Sequence, residues 1–363
     1  MNRRISKGIE RRCGELIIGG FDGLEPPREI LRRIARGRLG GVVLFARNIA
    51  EVAQVRELCR ELRAAQPTAS PPLLIAIDQE GGRVQRIRAP LPAWPPMALL
   101  GVIDDITLTQ RVGRAIGGDL RALGLNVDFA PVLDVVDNPT NTVIGDRSFG
   151  HDPELVGQHG VALAKGLGEA GILACGKHFP GHGGPVADSH YRLPSDRRAF
   201  SCLKREDLRP FADAVRTNVC MLMAAHVAYP AITGNDEPAT FSEKICRILL
   251  REVMGFRGVL CSDDLEMGAI TEHGSVAEAG LRAVKAGIDL LLVCHQRDQQ
   301  EALRERLIRA LKVDAAVRSR LERSLERVDR LRAQASANEN GPLPPLTESL
   351  RCYDELRTRL SAC

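Results

Sequence analysis

The chain has 363 residues, 44% of them hydrophobic and 26% charged, with a formal net charge of +4. That balance excludes wholesale disorder, and so small and dispersed a charge excess excludes electrostatic binding to nucleic acid or to a membrane surface. With 3 Tyr, 1 Trp and 9 Phe, the chain is also too poor in aromatic residues to build a stacking platform for single strands.

Short apolar runs alternate with longer amphipathic ones. The short runs are 15–21, 41–46, 73–78, 127–135, 172–179, 220–226, 258–264 and 289–294. They are rich in leucine and β-branched residues and mostly lack a two-residue alternation, the pattern of parallel strands buried on both faces. Between them, 51–65 places Val52, Val55, Leu58 and Leu62 at helical spacing. Similar stretches follow at 107–123, 153–169, 203–216, 242–254, 275–286 and 299–311, each with charge on its other face. Gly255 and Gly287 sit just past helix ends, where a left-handed cap suits glycine. Eight strands with intervening helices predict an α/β fold, a single (β/α)8 TIM barrel. The alternative, an open doubly wound sheet, calls for a glycine-rich phosphate turn after its first strand, and Gly19-Gly-Phe-Asp-Gly23 is a poor version of one.

After the last strand, 314–331 reads as a charged helix, 335–345 as a linker and 346–363 as a short final helix. The chain thus divides into a barrel domain over 1–335 and a linker with a C-terminal helical tail over 336–363. Ten cysteines are scattered without a CxxC pair, several of them inside apolar runs, as expected of buried reduced thiols. The basic N-terminus is followed by no apolar signal region, and no run approaches 18 apolar residues. These features lead us to expect a cytoplasmic protein without signal peptide or membrane span.

The polar residues collect at strand ends. Asp78 ends the third strand and Asp134 lies near the end of the fourth. Lys177 and His178 end the fifth, His226 the sixth, and Asp263 and Asp264 the seventh. In a barrel all these ends face one mouth, where active sites sit. Five neighbouring strands finishing in titratable groups are hard to explain by packing or by the polar start of a loop.

The strongest local pattern is Lys177-His-Phe-Pro-Gly-His-Gly-Gly184 followed by Asp188-Ser-His190. Others are Ile77-Asp-Gln-Glu-Gly-Gly-Arg-Val-Gln-Arg86, Phe129-Ala-Pro-Val-Leu-Asp134, Ile144-Gly-Asp-Arg-Ser-Phe149, Met223-Ala-Ala-His226 and Cys261-Ser-Asp-Asp-Leu265. In this order the blocks resemble glycoside hydrolase family 3, specifically its one-domain bacterial β-N-acetylglucosaminidases of the NagZ type, over roughly residues 14–330. The resemblance implies a retaining exo-β-N-acetylglucosaminidase that removes terminal GlcNAc from muropeptides during cytoplasmic cell-wall recycling. It implies a small carbohydrate or muropeptide as partner, and no cofactor or metal.

Retaining hydrolysis needs a carboxylate nucleophile and a group that first donates and then accepts a proton. Strand parity leaves Asp263 and Asp264 open, since adjacent side chains point opposite ways; the resemblance assigns the nucleophile to Asp263. It assigns the proton shuttle to His190, oriented by Asp188. Residues two apart in an extended loop project to one side, and a carboxylate against an imidazole fixes its tautomer. Gly183-Gly-Pro185 makes that loop a candidate flap. Asp78, Arg86, Arg147, Lys177 and His178 match the positions that hold the terminal sugar, by charge-assisted hydrogen bonds. Arg83 and His226 are candidates for support, His182 for turning the loop, and Glu80 and Glu266 for substitute acids. Three rival readings remain: a metal-dependent barrel hydrolase built on His178 and His182, which His190 and Asp263 could join, disfavoured because Pro180, Gly181 and Gly183 oppose the helix such spacing needs; a Schiff-base aldolase using Lys177; and a carbohydrate-binding pseudoenzyme.

Overall fold

The computed structural model describes residues 8–68, 70–138, 140–185, 188–189, 191–339 and 346–360. Eight parallel strands close into a barrel: β1 (Ile17–Gly19), β2 (Gly41–Leu44), β3 (Leu74–Ile77), β4 (Val127–Asp128), β5 (Leu173–Phe179), β6 (Met221–Ala224), β7 (Val259–Asp264) and β8 (Leu290–Val293). Closure is direct, because β1 pairs with β8 on one side and with β2 on the other. The open-sheet alternative is therefore excluded. Both faces of the strands are covered, so their side chains are almost all buried, as the unbroken apolar runs require.

The outer layer consists of α1 (Arg28–Ala35), α2 (Val52–Ala64), α3 (Ile106–Ala122), α4 (Pro153–Glu169), α5 (Leu208–Arg216), α6 (Lys244–Val253), α7 (Val276–Ala286) and α8 (Arg297–Val313). Asp105, Asp152 and Ser275 cap α3, α4 and α7 by accepting first-turn amides. Gly255 and Gly287 both adopt positive φ past their helices, as expected.

The departures from the periodicity have local causes. The run 127–135 keeps only two residues in the regular ladder, because Pro131 cannot donate to it; the chain nonetheless stays beside β5 through Cys175 N–H to Ala130 O. The helix expected over 203–216 is two helices, Phe200–Arg205 and α5. Pro210 fits the first turn of α5, but in one continuous helix its ring would strike the carbonyl four residues back. The α6 segment is wound wider than an α-helix; nothing in its sequence announced this. Helix α1 and the helix Met97–Ile103 were not expected, nor was the small hairpin of Gln79–Gly81 and Val84–Gln85.

Helix α9 (Ala315–Glu339) runs past the stretch read as its end and into the expected linker. The breakers Gly341 and Pro342 lie beyond it, and Ala335 is buried, so nothing stops the helix earlier. It lies across the N-terminal ends of the strands: Arg332 donates to Gly40 O and pairs with Glu15, and Ser324 donates to Asp289. Helix α10 (Leu346–Leu360) docks on α3 through buried Cys352 and Leu356, the pair Arg111–Glu355 at 2.6 Å and an edge contact of Tyr353 with Trp94. None of the nine described cysteines forms a disulfide, and seven of them are buried. Among the described residues no helix is long and apolar enough to cross a membrane.

Candidate active site

The C-terminal strand ends surround a cavity of about 200 Å³. Ligand pockets for drug-sized molecules usually run to about 300–1,000 Å³, so this one is on the scale of a single ring. Asp78, Arg86, Arg147, Lys177, His178 and Asp263 all line it. Asp188 is half-buried and is not among the lining side chains, whereas its neighbour Ser189 is. His190 lies outside the described residues.

One wall is a network of buried charges. Glu80 takes two hydrogen bonds from Arg147, both 2.8 Å, and pairs with Lys177 Nζ at 2.5 Å. Lys177 also donates to Asp78 Oδ1 at 2.7 Å, and Arg86 stands 3.6 Å from Asp78 Oδ2. Burial opposes the ionisation of Glu80, yet Arg147 and Lys177 outweigh it and hold the carboxyl far below its usual range. It therefore cannot serve as the substitute acid. Burial likewise opposes the charge on Lys177, but Asp78 and Glu80 overcome it and raise its pKa. A Schiff-base lysine needs the reverse, a depressed pKa, so that rival loses its basis. Arg83 is bound to the carbonyls of Thr142, Val143 and Ile144, and supports the loop that carries Arg147.

The opposite wall is built on Asp134. It accepts His178 Nδ1 at 2.6 Å, the His178 amide at 3.1 Å and the His182 amide at 2.7 Å. This leaves Nε2 of His178 as the nitrogen free of Asp134. Lys177 and His178 both line the cavity although neighbours in a regular strand face opposite sides; the peptide between them is cis, and the register with β6 shifts here. His182 Nε2 lies 3.1 Å from Ser189 Oγ, tying the turn to the following loop. Burial, then His178, lowers the His182 pKa to about 4. His178 and His182 are thus each committed to a different oxygen rather than to a shared point.

At the end of β7 the two aspartates differ. Asp264 accepts the amides of Glu266 and Cys294 and faces His295 at 3.4 Å. Both aspartates line the cavity, but among the described residues Asp263 accepts only the Asp264 amide, at 2.8 Å, and lies within the field of His226, His178 and Lys177. Burial raises its pKa, but those groups and the amide outweigh burial and hold it below the ordinary range. His226 bonds to Thr240 and to the Asp264 carbonyl, bracing this strand end. Glu266 accepts the amides of His295 and Gln296, and its pKa is raised, by burial first. Sequence reasoning placed Asp134 at a strand end without a role; its spacing from the Lys-His pair carried no sign of the bond it makes.

The chain matches the glycosyl hydrolase family 3 N-terminal domain over residues 9–331. The chain belongs to glycoside hydrolase family 3. Proteins called beta-hexosaminidase from Nitrosomonas eutropha and Thiobacillus denitrificans are 43% and 41% identical to it. The first alignment covers 73% of this chain and 76% of that relative, the second 80% and 81%. Among solved structures, a family 3 beta-N-acetylglucosaminidase from Paenibacillus superposes with a TM-score of 0.90 at 38% identity, covering 96% of this chain and 68% of that one. NagZ of Neisseria gonorrhoeae in complex with N-trifluoroacetyl-D-glucosamine superposes with a TM-score of 0.75 at 31% identity, covering 96% of both chains. This family 3 glycoside hydrolase therefore carries its charged cavity at the barrel mouth, where the fold places catalysis.

Proposed function

We propose that this family 3 hydrolase is a retaining exo-β-N-acetylglucosaminidase that removes terminal non-reducing GlcNAc, with GlcNAc-anhydro-muropeptides as natural substrates in cytoplasmic peptidoglycan recycling. The names of its relatives and the N-acyl-glucosamine bound to gonococcal NagZ support the sugar. The observation that carries the reading is the Asp263 carboxylate, ionised and facing a one-ring cavity whose far wall is the Asp78–Lys177–Glu80–Arg147 network. Asp78, Arg86, Arg147, Lys177 and His178 hold the sugar hydroxyls and acetamido group through charge-assisted hydrogen bonds.

In the first step Asp263 attacks the anomeric carbon. The bond to the leaving oxygen breaks while His190, as imidazolium, gives that oxygen its proton. A glycosyl-aspartate ester results. In the second step neutral His190 takes a proton from water, the water oxygen displaces Asp263, and GlcNAc leaves with its configuration retained. An ordinary imidazole pKa of about 6.5 suits both roles, and Asp188 holds the ring and steadies its cation. That Ser189, the residue before His190, lines the cavity and is bonded to His182 supports this assignment.

The test is turnover of p-nitrophenyl β-GlcNAc by the wild type and by His190→Ala. We expect about 10²–10⁴-fold loss of rate in the variant. Undiminished turnover would remove His190 from the mechanism, and no turnover by the wild type would remove the proposed substrate.

A further inference from the structure

The end of the barrel away from the catalytic mouth carries a second cavity, of about 500 Å³, between α6, α9 and the foot of β8. Five arginines line it: Arg247 and Arg251 from α6, and Arg320, Arg323 and Arg327 from α9. At its floor is Asp289, fully buried one residue before β8, which pairs with Arg251 at 2.5 Å and Arg327 at 3.0 Å. Its other contacts are structural: it accepts the Leu260 amide and the Ser324 hydroxyl. On the rim, Glu243 pairs with Arg247 and Arg320, and Glu252 pairs with Arg247.

The charges do not balance. The lining holds five arginines and three carboxylates, an excess of two positive charges in a recess about half the size of the largest ligand pockets. Arg251 is nine-tenths buried and its Nε has no hydrogen-bond partner. Burial, and then Arg327, depresses the Arg251 pKa despite Asp289; burial, Arg323 and Arg247 depress that of Arg320 despite Glu243. Like charges held this close destabilise one another unless an anion joins them. Guanidinium forks match the paired oxygens of a phosphoryl group, and an excess of two charges matches its dianion.

We propose that this pocket is a binding site for a phosphoryl dianion, bridged between the α6 and α9 arginines. The cavity has room for more than the bare ion, so a phosphomonoester of a small molecule fits it, as does free phosphate. The pocket lies at the opposite end of the strands from Asp263, so occupancy ties α9 to the barrel rather than touching the reacting sugar.

The test uses the full chain in thermal-shift titrations and calorimetry with inorganic phosphate, glucose 6-phosphate and glucose, each against sodium chloride of equal ionic strength. The variants are Arg323→Gln, an exposed residue on the pocket wall, and Asp78→Ala, which alters the catalytic cavity only. Phosphate and glucose 6-phosphate should raise the melting temperature of the wild type and of Asp78→Ala. In Arg323→Gln the affinity should fall about tenfold, as for one lost charge-assisted hydrogen bond, with turnover of p-nitrophenyl β-GlcNAc unchanged. Tighter binding of glucose 6-phosphate than of phosphate identifies the ester as the occupant, and equal binding identifies the free ion. A shift no larger than with chloride, or one that Asp78→Ala abolishes and Arg323→Gln preserves, overturns the proposal.

Discussion

Glu80 offers the sharpest test of how the catalytic cavity is held. It is 2% exposed and meets two cations, Arg147 through two hydrogen bonds and Lys177 through one ion pair. Removing one partner of such a buried pair typically costs about 3–5 kcal/mol, because the remaining charges lose their compensation. Gln keeps one acceptor oxygen, so Glu80→Gln should lie near 3 kcal/mol and Glu80→Ala near the upper end, by the same range. For 363 residues, 1 kcal/mol moves Tm by roughly 1–2 °C on the per-residue unfolding entropy. We therefore expect Glu80→Gln to melt about 4 °C lower and Glu80→Ala about 7 °C lower. The pH dependence has a definite sign. The folded pKa of Glu80 is depressed, so its contribution is complete above the unfolded value of about 4.3 and is lost as pH falls toward the depressed one. The gap between wild type and Glu80→Gln should be level from pH 8 to 5 and narrow only below about 4. Because Lys177 and Arg147 also line the cavity, KM should rise in the same variants. Melting within a degree of the wild type, with KM unchanged, would refute the reasoning that this network is the scaffold of the site.

Asp263→Asn should leave the fold intact by circular dichroism and abolish turnover; retained activity would transfer the nucleophile elsewhere, Asp264 first. Asp188→Ala should slow both half-reactions, seen in pre-steady-state release of p-nitrophenol and in the steady-state rate; a loss confined to KM would make Asp188 a binding residue only. Buried His182, with its pKa lowered to about 4, stays neutral when folded but takes up a proton when unfolded below about pH 6.5. Stability should therefore fall by up to about 3 kcal/mol between pH 6.5 and 4, a slope that His182→Asn should flatten in urea titrations. Leu356→Ala, at a fully buried contact of α10, should cost about 2–5 kcal/mol if the tail belongs to the cooperative unit; a melting curve indistinguishable from the wild type would make α10 an independent appendage.

The barrel was legible because its strands are buried on both faces and its helices on one, so apolar runs and helical spacing mark all eight of each kind save α1. What the periodicity could not carry depended on single residues or long-range contacts. Pro210 splits a helix that its apolar spacing joins. Breakers at Gly341 and Pro342, rather than the polar stretch before them, let α9 continue to Glu339. The cavity-lining residues Asp78, Arg86, Arg147, Lys177, His178 and Asp263 were all named from motifs and strand ends, because a barrel brings the ends of distant strands together whatever their separation in sequence. The use of Glu80 was not legible. A carboxylate at a barrel mouth reads as a candidate acid until its partners, 67 and 97 residues away in sequence, are seen to hold it ionised.

That last distinction also explains how so charged a cavity suits a neutral sugar. Asp78 and Glu80 are committed to Lys177, Arg147 and Arg86; Asp134 is committed to His178 and the His182 amide; Asp264 is committed to backbone amides. Each of these carboxylates is already matched, so it fixes a donor or acceptor in place with little net field to repel or attract a neutral ring. Among the described residues Asp263 accepts only its neighbour's amide, and its ionised form is sustained by charges that surround it without binding it. A carboxylate kept ionised yet not occupied is what a nucleophile requires. A substitution that gave Asp263 a direct cationic partner should therefore depress catalysis even if every sugar contact survived.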